Sequence, residues 1–324
     1  MAGGSNLEPR KIIRFGNSSF VISLPKGWLQ KNSLDKGDSV YLDDLGDGSL
    51  VLNTGTIKKK KPVGYSISFP SNIKFNERIR REIYHAYLND FKIIKITGPG
   101  VEKNTSDIRQ FLHNFAGLEI FKQTSNSIVA HDLLDVEELS LRKMVRRIDV
   151  ICRSMIEDTI VGIDKKDDYI QIYRRDKDVN RLVFLCFKII KKASNDVSFS
   201  KRMNVTLSDL MDYKIIIDNL EIIADQFKRI SKLFFKSKIN KTDRKLLKEL
   251  YSDVEGEYLN VMKAYYNKNR NLAHKVLNSS IKILSRCDSL LLEVSSPKTI
   301  IVLEKLKRTQ VSIRKIGRII LGLT

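Results

Sequence analysis

Cysteine is scarce in this 324-residue chain, with thiols only at Cys152, Cys186 and Cys287. Their number is odd and their spacing fits neither a disulfide framework nor a zinc knuckle, which points to a reducing compartment. Histidine is scarce as well. His85, His113, His131 and His274 are scattered and offer no His-x-x-x-His pair for a zinc enzyme. No apolar run reaches the roughly 18 residues that a membrane-spanning helix needs. The first six residues carry no basic-then-apolar leader, so a cytoplasmic protein without membrane insertion is expected. Acidic residues are the minority charge, 38 Asp+Glu against 58 Lys+Arg, for a net +20.

What is present is enough to fold. Apolar residues make up 42 % of the chain, which excludes wholesale disorder, and the length suits two or three domains. The positive charge is uneven: residues 1–61 carry +4, residues 62–136 carry +1 and residues 137–324 carry +15. Residues 228–248 hold nine basic side chains and one acid, Asp243, while residues 298–324 hold seven and one acid, Glu304. Such a chain is suited to phosphate-bearing or acidic partners, although solvated helix faces account equally well for any one cluster.

Three segments follow from periodicity. The first, residues 1–61, reads as four short strands and one short helix, with turns at Gly16-Asn17-Ser18, at residues 34–38 and at residues 43–48, and with a basic linker at residues 58–62. So small a unit buries little apolar surface alone, so it is expected to share a core with a second copy, with Trp28 in the interface. The second segment, residues 62–136, reads as a small α/β sandwich. It has strands near 65–69 and 92–97, a helix at 76–90 with Ile79, Ile83, Ala86 and Tyr87 on one face, a second helix capped by Ser106, and a closing hairpin. Gly98-Pro99-Gly100 lacks the spacing and the following Lys-Ser/Thr of a phosphate loop. The third segment, residues 137–324, is all helix, with six amphipathic runs at about 137–163, 168–194, 207–237, 242–267, 270–292 and 297–321. Ser296-Pro297 is a cap followed by a first-turn proline, and six helices divide into two three-helix repeats. The fold class expected is therefore multidomain α+β: a β-rich unit, an α/β sandwich, then a six-helix domain.

The first segment resembles the AbrB/SpoVT/MazE swapped-hairpin domain over residues 9–53. The likeness rests on Arg10-Lys11-Ile12, Gly16-Asn17-Ser18, Ser23-Leu24-Pro25-Lys26, Trp28-Leu29 and Leu34-Asp35-Lys36-Gly37-Asp38. The resemblance implies an intertwined homodimer on DNA, with Arg10, Lys11, Arg14 and Lys26 at phosphates and Asn17 and Ser18 on the exposed loop. Alternatively, the unit only dimerises. Asp43, Asp44 and Asp47, in the last hairpin, would repel DNA that faced them.

The helical segment resembles PhoU, the phosphate-uptake regulator family, in the form that many archaea carry behind an AbrB-like domain. The family presents Glu/Asp-x-x-x-Asp/Asn motifs on the second and third helices of each repeat. The resemblance implies one divalent or ferric cation held by Asp176, Asn180, Glu221 and Asp225, acids four apart sharing a helix face. Salt bridges to Asp176 and Glu221, with Arg174, Arg175, Lys177 and Arg181 close by, are the alternative. The second repeat departs from the pattern, since Ser280, Leu284, Lys307 and Val311 stand at the ligand places and can hold no metal. Lys307, with Lys282 and Arg308 near, is expected to supply a fixed ammonium there instead.

Two functions follow. One is a DNA-binding transcriptional regulator of the PhoU type, linked to phosphate uptake and homeostasis. The other is an adaptor acting on a phosphate ABC transporter or signalling kinase, with the first unit serving only to dimerise. No nucleophile–base pair, phosphate loop or zinc motif is present, so no catalytic residue is assigned and an enzyme is not expected.

Overall fold

A computed structural model describes residues 8–44, 48, 50–54, 64–71, 74–163, 169–236 and 239–323. The expected linker, Asp47 and Lys238 lie outside the described residues, as do the side chains of Asp43 and Lys236. The chain divides into two compact units, Met1–Lys61 and Pro62–Thr324.

In the first unit, β1 (Ile13–Phe15) pairs antiparallel with β2 (Ser19–Val21), and β3 (Tyr41–Asp44) with β4 (Leu50–Asn53). The short helix α1 (Lys26–Lys31) lies between the hairpins in sequence. Gly16 takes φ +71° in the first turn, a conformation that glycine adopts without a Cβ penalty. None of the described residues of this unit is buried, and Ile12, Ile13, Phe15, Phe20, Val21, Ile22, Tyr41, Leu42 and Leu50 are all exposed.

The second unit begins with a four-stranded sheet. Its strands are β5 (Gly64–Ser68), β6 (Ile93–Thr97), β7 (Leu118–Thr124) and β8 (Ser127–Asp132), in spatial order β5-β6-β8-β7. Only the β5–β6 pair is parallel, and α2 (Glu77–Leu88) forms its crossover. The Asn76 side chain caps α2 by accepting from the amides of Arg78 and Ile79, and Ile79, Ile83, Ala86 and Tyr87 are its buried face. Alternate residues Ile94 and Ile96, and Ile128 and Ala130, meet that face from the sheet.

Helix α3 (Val101–Leu112) starts five residues before the expected cap at Ser106. Tertiary packing fixes this start. Val101 is buried, and a Cβ at Gly100 would lie 2.3 Å from the Pro70 carbonyl oxygen. A Cβ at Gly98, whose φ is +134°, would meet the Phe69 carbonyl oxygen at 2.3 Å, so these glycines serve close backbone approach.

Six long helices follow: α4 (Leu141–Val161), α5 (Ile170–Asn195), α7 (Leu207–Lys236), α8 (Lys241–Tyr266), α9 (Arg270–Glu293) and α10 (Pro297–Gly322). An unexpected short helix, α6 (Val197–Arg202), sits between α5 and α7, capped by Asp196 and pinned by buried Phe199. Among these helices α10 packs most extensively on α7 and α9. The buried Asp149 carboxylate ties α4 to α8. It accepts from Tyr258 at 2.8 Å and Tyr266 at 2.9 Å and pairs with Arg153 at 3.0 Å.

Residues 62–136 and 137–324, expected as separate domains, pack as one unit. Phe184 of α5 joins the sheet's apolar core, and fully buried Lys188 reaches Asp132 at the end of β8 and Asp90 just before β6. All three cysteines are free and buried, and burial pushes the Cys287 thiol up to about 11 and the Cys186 thiol up to about 12. Packing, not reactivity, accounts for them. Among the described residues no helix is long and apolar enough to cross a membrane.

Candidate functional site

The residues expected at DNA lie before and on the first hairpin and at the start of α1. Arg14 lies in β1, and its guanidinium donates to the Asn17 carbonyl at 3.2 Å, bracing the turn that carries Asn17 and Ser18. Arg10 and Lys11 precede the strand, with Arg10 ion-paired to Glu8, and Lys26 opens α1. All six side chains are exposed. Asp35 and Asp38 are occupied in their own loop, where the Asp38 carboxylate accepts from the Asp35 amide at 2.7 Å. A hairpin that exposes cations beside short polar groups can hold phosphates and reach base edges.

On the helical side, Asp176 and Asn180 lie on α5 and Glu221 and Asp225 on α7. The fold does bring them together. A lysine, however, sits among them: Lys228 Nζ is 2.8 Å from Asp176 Oδ2 and 2.8 Å from Asp225 Oδ1. Arg229 holds the other Asp225 oxygen at 2.6 Å, and the Asn180 amide donates to Asp176 at 3.3 Å. Burial pushes Asp176 above the ordinary carboxylate range, more than Lys228 pulls it down. At Asp225 burial is outweighed by Lys228 and Arg229, which hold that carboxyl low. Glu221 has no ion-pair partner among the described residues, and burial, then Asp225 and Asp176, raise its carboxyl. Burial alone would lower Lys228, but the two aspartates hold it above its ordinary value.

This donor set does not fit a metal ion. An ammonium already bridges two of the carboxylates, and Asn180 turns its amide group, a donor, toward Asp176. Among the described residues no three carboxylates, thiols or imidazoles form a metal-ligand group. The cation against Asp176 also comes from an unexpected place. Arg175 pairs with Asp158, Arg174 is exposed, and Lys177 lies over the Tyr173 ring, so Lys228 on the facing helix supplies the charge. Only its pairing with Asp225, three residues earlier on the same helix face, was legible in the sequence.

In the second repeat the ammonium expected at Lys307 stands at the part-exposed rim of the α9–α10 interface, not in its buried interior. There Lys307 of α10 pairs with Asp288 of α9 at 2.5 Å, and Lys282 and Arg308 are exposed. Buried Gln310 donates instead to buried Ser280 at 2.7 Å, joining α10 to α9 with a neutral hydrogen bond. The register on α10 places Gln310, not Lys307, inside.

Residues 13–64 match the family model described as antidote-toxin recognition MazE, bacterial antitoxin. No curated protein matches the chain. A crystal structure of PhoU from Pseudomonas aeruginosa is similar to it, with a TM-score of 0.46 and 14 % identity over 56 % of this chain and 93 % of that chain. The chain thus carries a MazE-like segment over residues 13–64.

Proposed function

We propose that this protein is a cytoplasmic, non-catalytic transcriptional regulator of the PhoU type, linked to phosphate uptake and homeostasis. In this reading the first unit pairs two copies on DNA. Arg10, Lys11, Arg14 and Lys26 neutralise phosphates, and Asn17 and Ser18 reach toward bases. The helical unit couples phosphate status to that grip by engaging transporter or signalling components. One observation carries the reading. A single copy of the first unit exposes nine large apolar side chains and, among its described residues, buries none. Apolar surface on that scale calls for a partner, and a second copy supplies the same strands.

The test uses the full chain. Light scattering should report a dimer at micromolar concentration. DNA affinity should fall steeply with salt, and the Arg14→Gln/Lys26→Gln double variant should flatten the log–log slope by about 0.9 for each phosphate no longer neutralised. A monomer would sink the pairing argument. A dimer without salt-dependent DNA retention would leave the adaptor role in place of the regulator.

A further inference from the structure

The same two helices that hold the Asp176–Lys228–Asp225 cluster form a concave basic site. On α5 the residues Ile170, Tyr173, Arg174 and Lys177 recur at helical spacing and share one face. On α7 the residues Lys228, Arg229 and Lys232 do the same, and Phe235, one turn on, packs its ring 5.0 Å from Tyr169. Between these faces lies a cavity of about 700 Å³ lined, among the described residues, by five cations, two tyrosines and one isoleucine and by no carboxylate. That is the size of a small-molecule site.

The charges are unevenly satisfied. Asp225 answers Lys228 and Arg229, and Asp176 answers Lys228 again. Arg174, Lys177 and Lys232 have no acidic partner among the described residues, and Lys177 Nζ instead lies 4.9 Å over the Tyr173 ring. Crowded like charges repel, and a bound polyanion relieves that repulsion. The aspartates behind Lys228 and Arg229 fix those two head groups in place before anything binds, which lowers the ordering cost of an anion. The tyrosines add flat apolar surface: Tyr173 is 44 % exposed at the rim, and Tyr169 is backed by Phe235. Inorganic phosphate would use the cations and leave both rings idle. An extended nucleic acid would use the cations, but a concave site between two helices favours a compact ligand.

We infer that this cavity binds a small phosphorylated aromatic ligand of the nucleotide class, with its phosphates among Arg174, Lys177, Arg229 and Lys232 and its ring against Tyr173 or Tyr169. Ring stacking on tyrosine and multidentate hydrogen bonding from arginine are the interactions that recognise this chemistry. The proposal stands apart from the DNA-binding reading, because all its residues belong to the second unit.

Isothermal titration of the full chain with ATP, AMP, adenosine, inorganic phosphate and a short DNA duplex tests it. ATP should bind saturably with one site per chain, more tightly than AMP, and far more tightly than adenosine or inorganic phosphate. Arg174→Gln/Lys232→Gln should weaken ATP by about tenfold or more, as expected when charge-assisted hydrogen bonds are removed. Tyr173→Ala should weaken it several-fold without removing any charge. These side chains are exposed, so circular dichroism should be unchanged, and Lys298→Gln, outside the cavity, should leave ATP binding as it was. Absence of saturable nucleotide binding, nucleotide binding indifferent to both cavity variants, or phosphate binding as tight as ATP would each overturn the proposal. So would weaker DNA binding in these variants with no nucleotide competition, which would make the site a nucleic-acid surface.

Discussion

Replacing Lys188 should unfasten the helical bundle from the sheet. Lys188 lies on α5 with its side chain fully buried. Its ammonium pairs with Asp132, whose side chain is 1 % exposed, and with Asp90 at 3.0 Å, and lies 4.7 Å from the centre of the Tyr87 ring. Removing one partner of a buried ion pair typically costs about 3–5 kcal/mol, because the remaining charge is stranded away from water. Here Lys92 also reaches Asp132, at 3.2 Å, and Asp90, at 3.0 Å, so part of the compensation survives. Lys188→Met should therefore fall near the low end, about 3 kcal/mol. Lys188→Met/Asp132→Leu should recover much of the loss, because an apolar pair of similar volume needs no desolvated charge.

Urea unfolding followed by circular dichroism at 222 nm suits the measurement. The single tryptophan, Trp28, belongs to the other unit and would report the wrong transition. The pH dependence has a definite sign. Burial would raise Asp90, but Lys188 and Lys92 outweigh it and hold the carboxyl below its ordinary value. A depressed carboxylate stabilises the fold above its unfolded pKa of about 3.9 and loses that contribution as pH falls through the folded value. The gap between wild type and Lys188→Met should thus be full above about pH 4 and narrow on further acidification. A variant within about 0.5 kcal/mol of wild type at pH 7, or a double variant worse than the single, would refute the reasoning.

Other outcomes follow from the same structure. Tyr258→Phe removes one of two tyrosine donors to buried Asp149 and should cost about 1–3 kcal/mol in chemical denaturation, with no change in oligomeric state. Trp28 is half-buried in one copy, and full burial in a dimer predicts a cost of about 3–5 kcal/mol for Trp28→Ala, read by tryptophan-independent dichroism of the dimer at several concentrations. Elemental analysis of protein prepared without chelator should find no stoichiometric metal. Lys228→Met, which frees Asp176 and one oxygen of Asp225 beside Glu221, should gain measurable manganese affinity by calorimetry, and no gain would show that the carboxylates do not converge tightly enough. Neutralising Lys232 should lower the salt slope of DNA binding only if the helical unit contributes to it, since a bystander cation releases no counterions.

How much of this was written in the sequence varies with the range of the interaction. Local rules settled the helices. The apolar face of α2 and the Ser296-Pro297 start of α10 depend on residues within a turn or two of one another, and they stand where periodicity and capping chemistry put them. Short-range signals could also be overruled or missed. Ser106 is a good cap by type, yet α3 begins at Val101, because buried Val101 and the close passage of Gly100 over Pro70 anchor it there. The Asp196 cap of α6 was in plain view, but a six-residue helix leaves no periodic trace.

Tertiary structure alone decided which charges meet. Asp176, Asn180, Glu221 and Asp225 stand out by their spacing, and the bundle does gather them, but spacing on single helices cannot say that Lys228 lies across from Asp176. Lys307 and Gln310, three residues apart on α10, both reach α9, and the apolar stripe through Leu306, Ile313 and Ile316 fixes the rotation that buries Gln310 and leaves Lys307 at the rim. In the sequence Lys188 is one more cation in a basic chain. Only the docking of α5 on the sheet, 56 residues from Asp132 in sequence, turns it into the buried centre of an ion-pair network. Electrostatic pairing across elements is set by three-dimensional packing, because a charge is recognised by what surrounds it and not by where it stands along the chain.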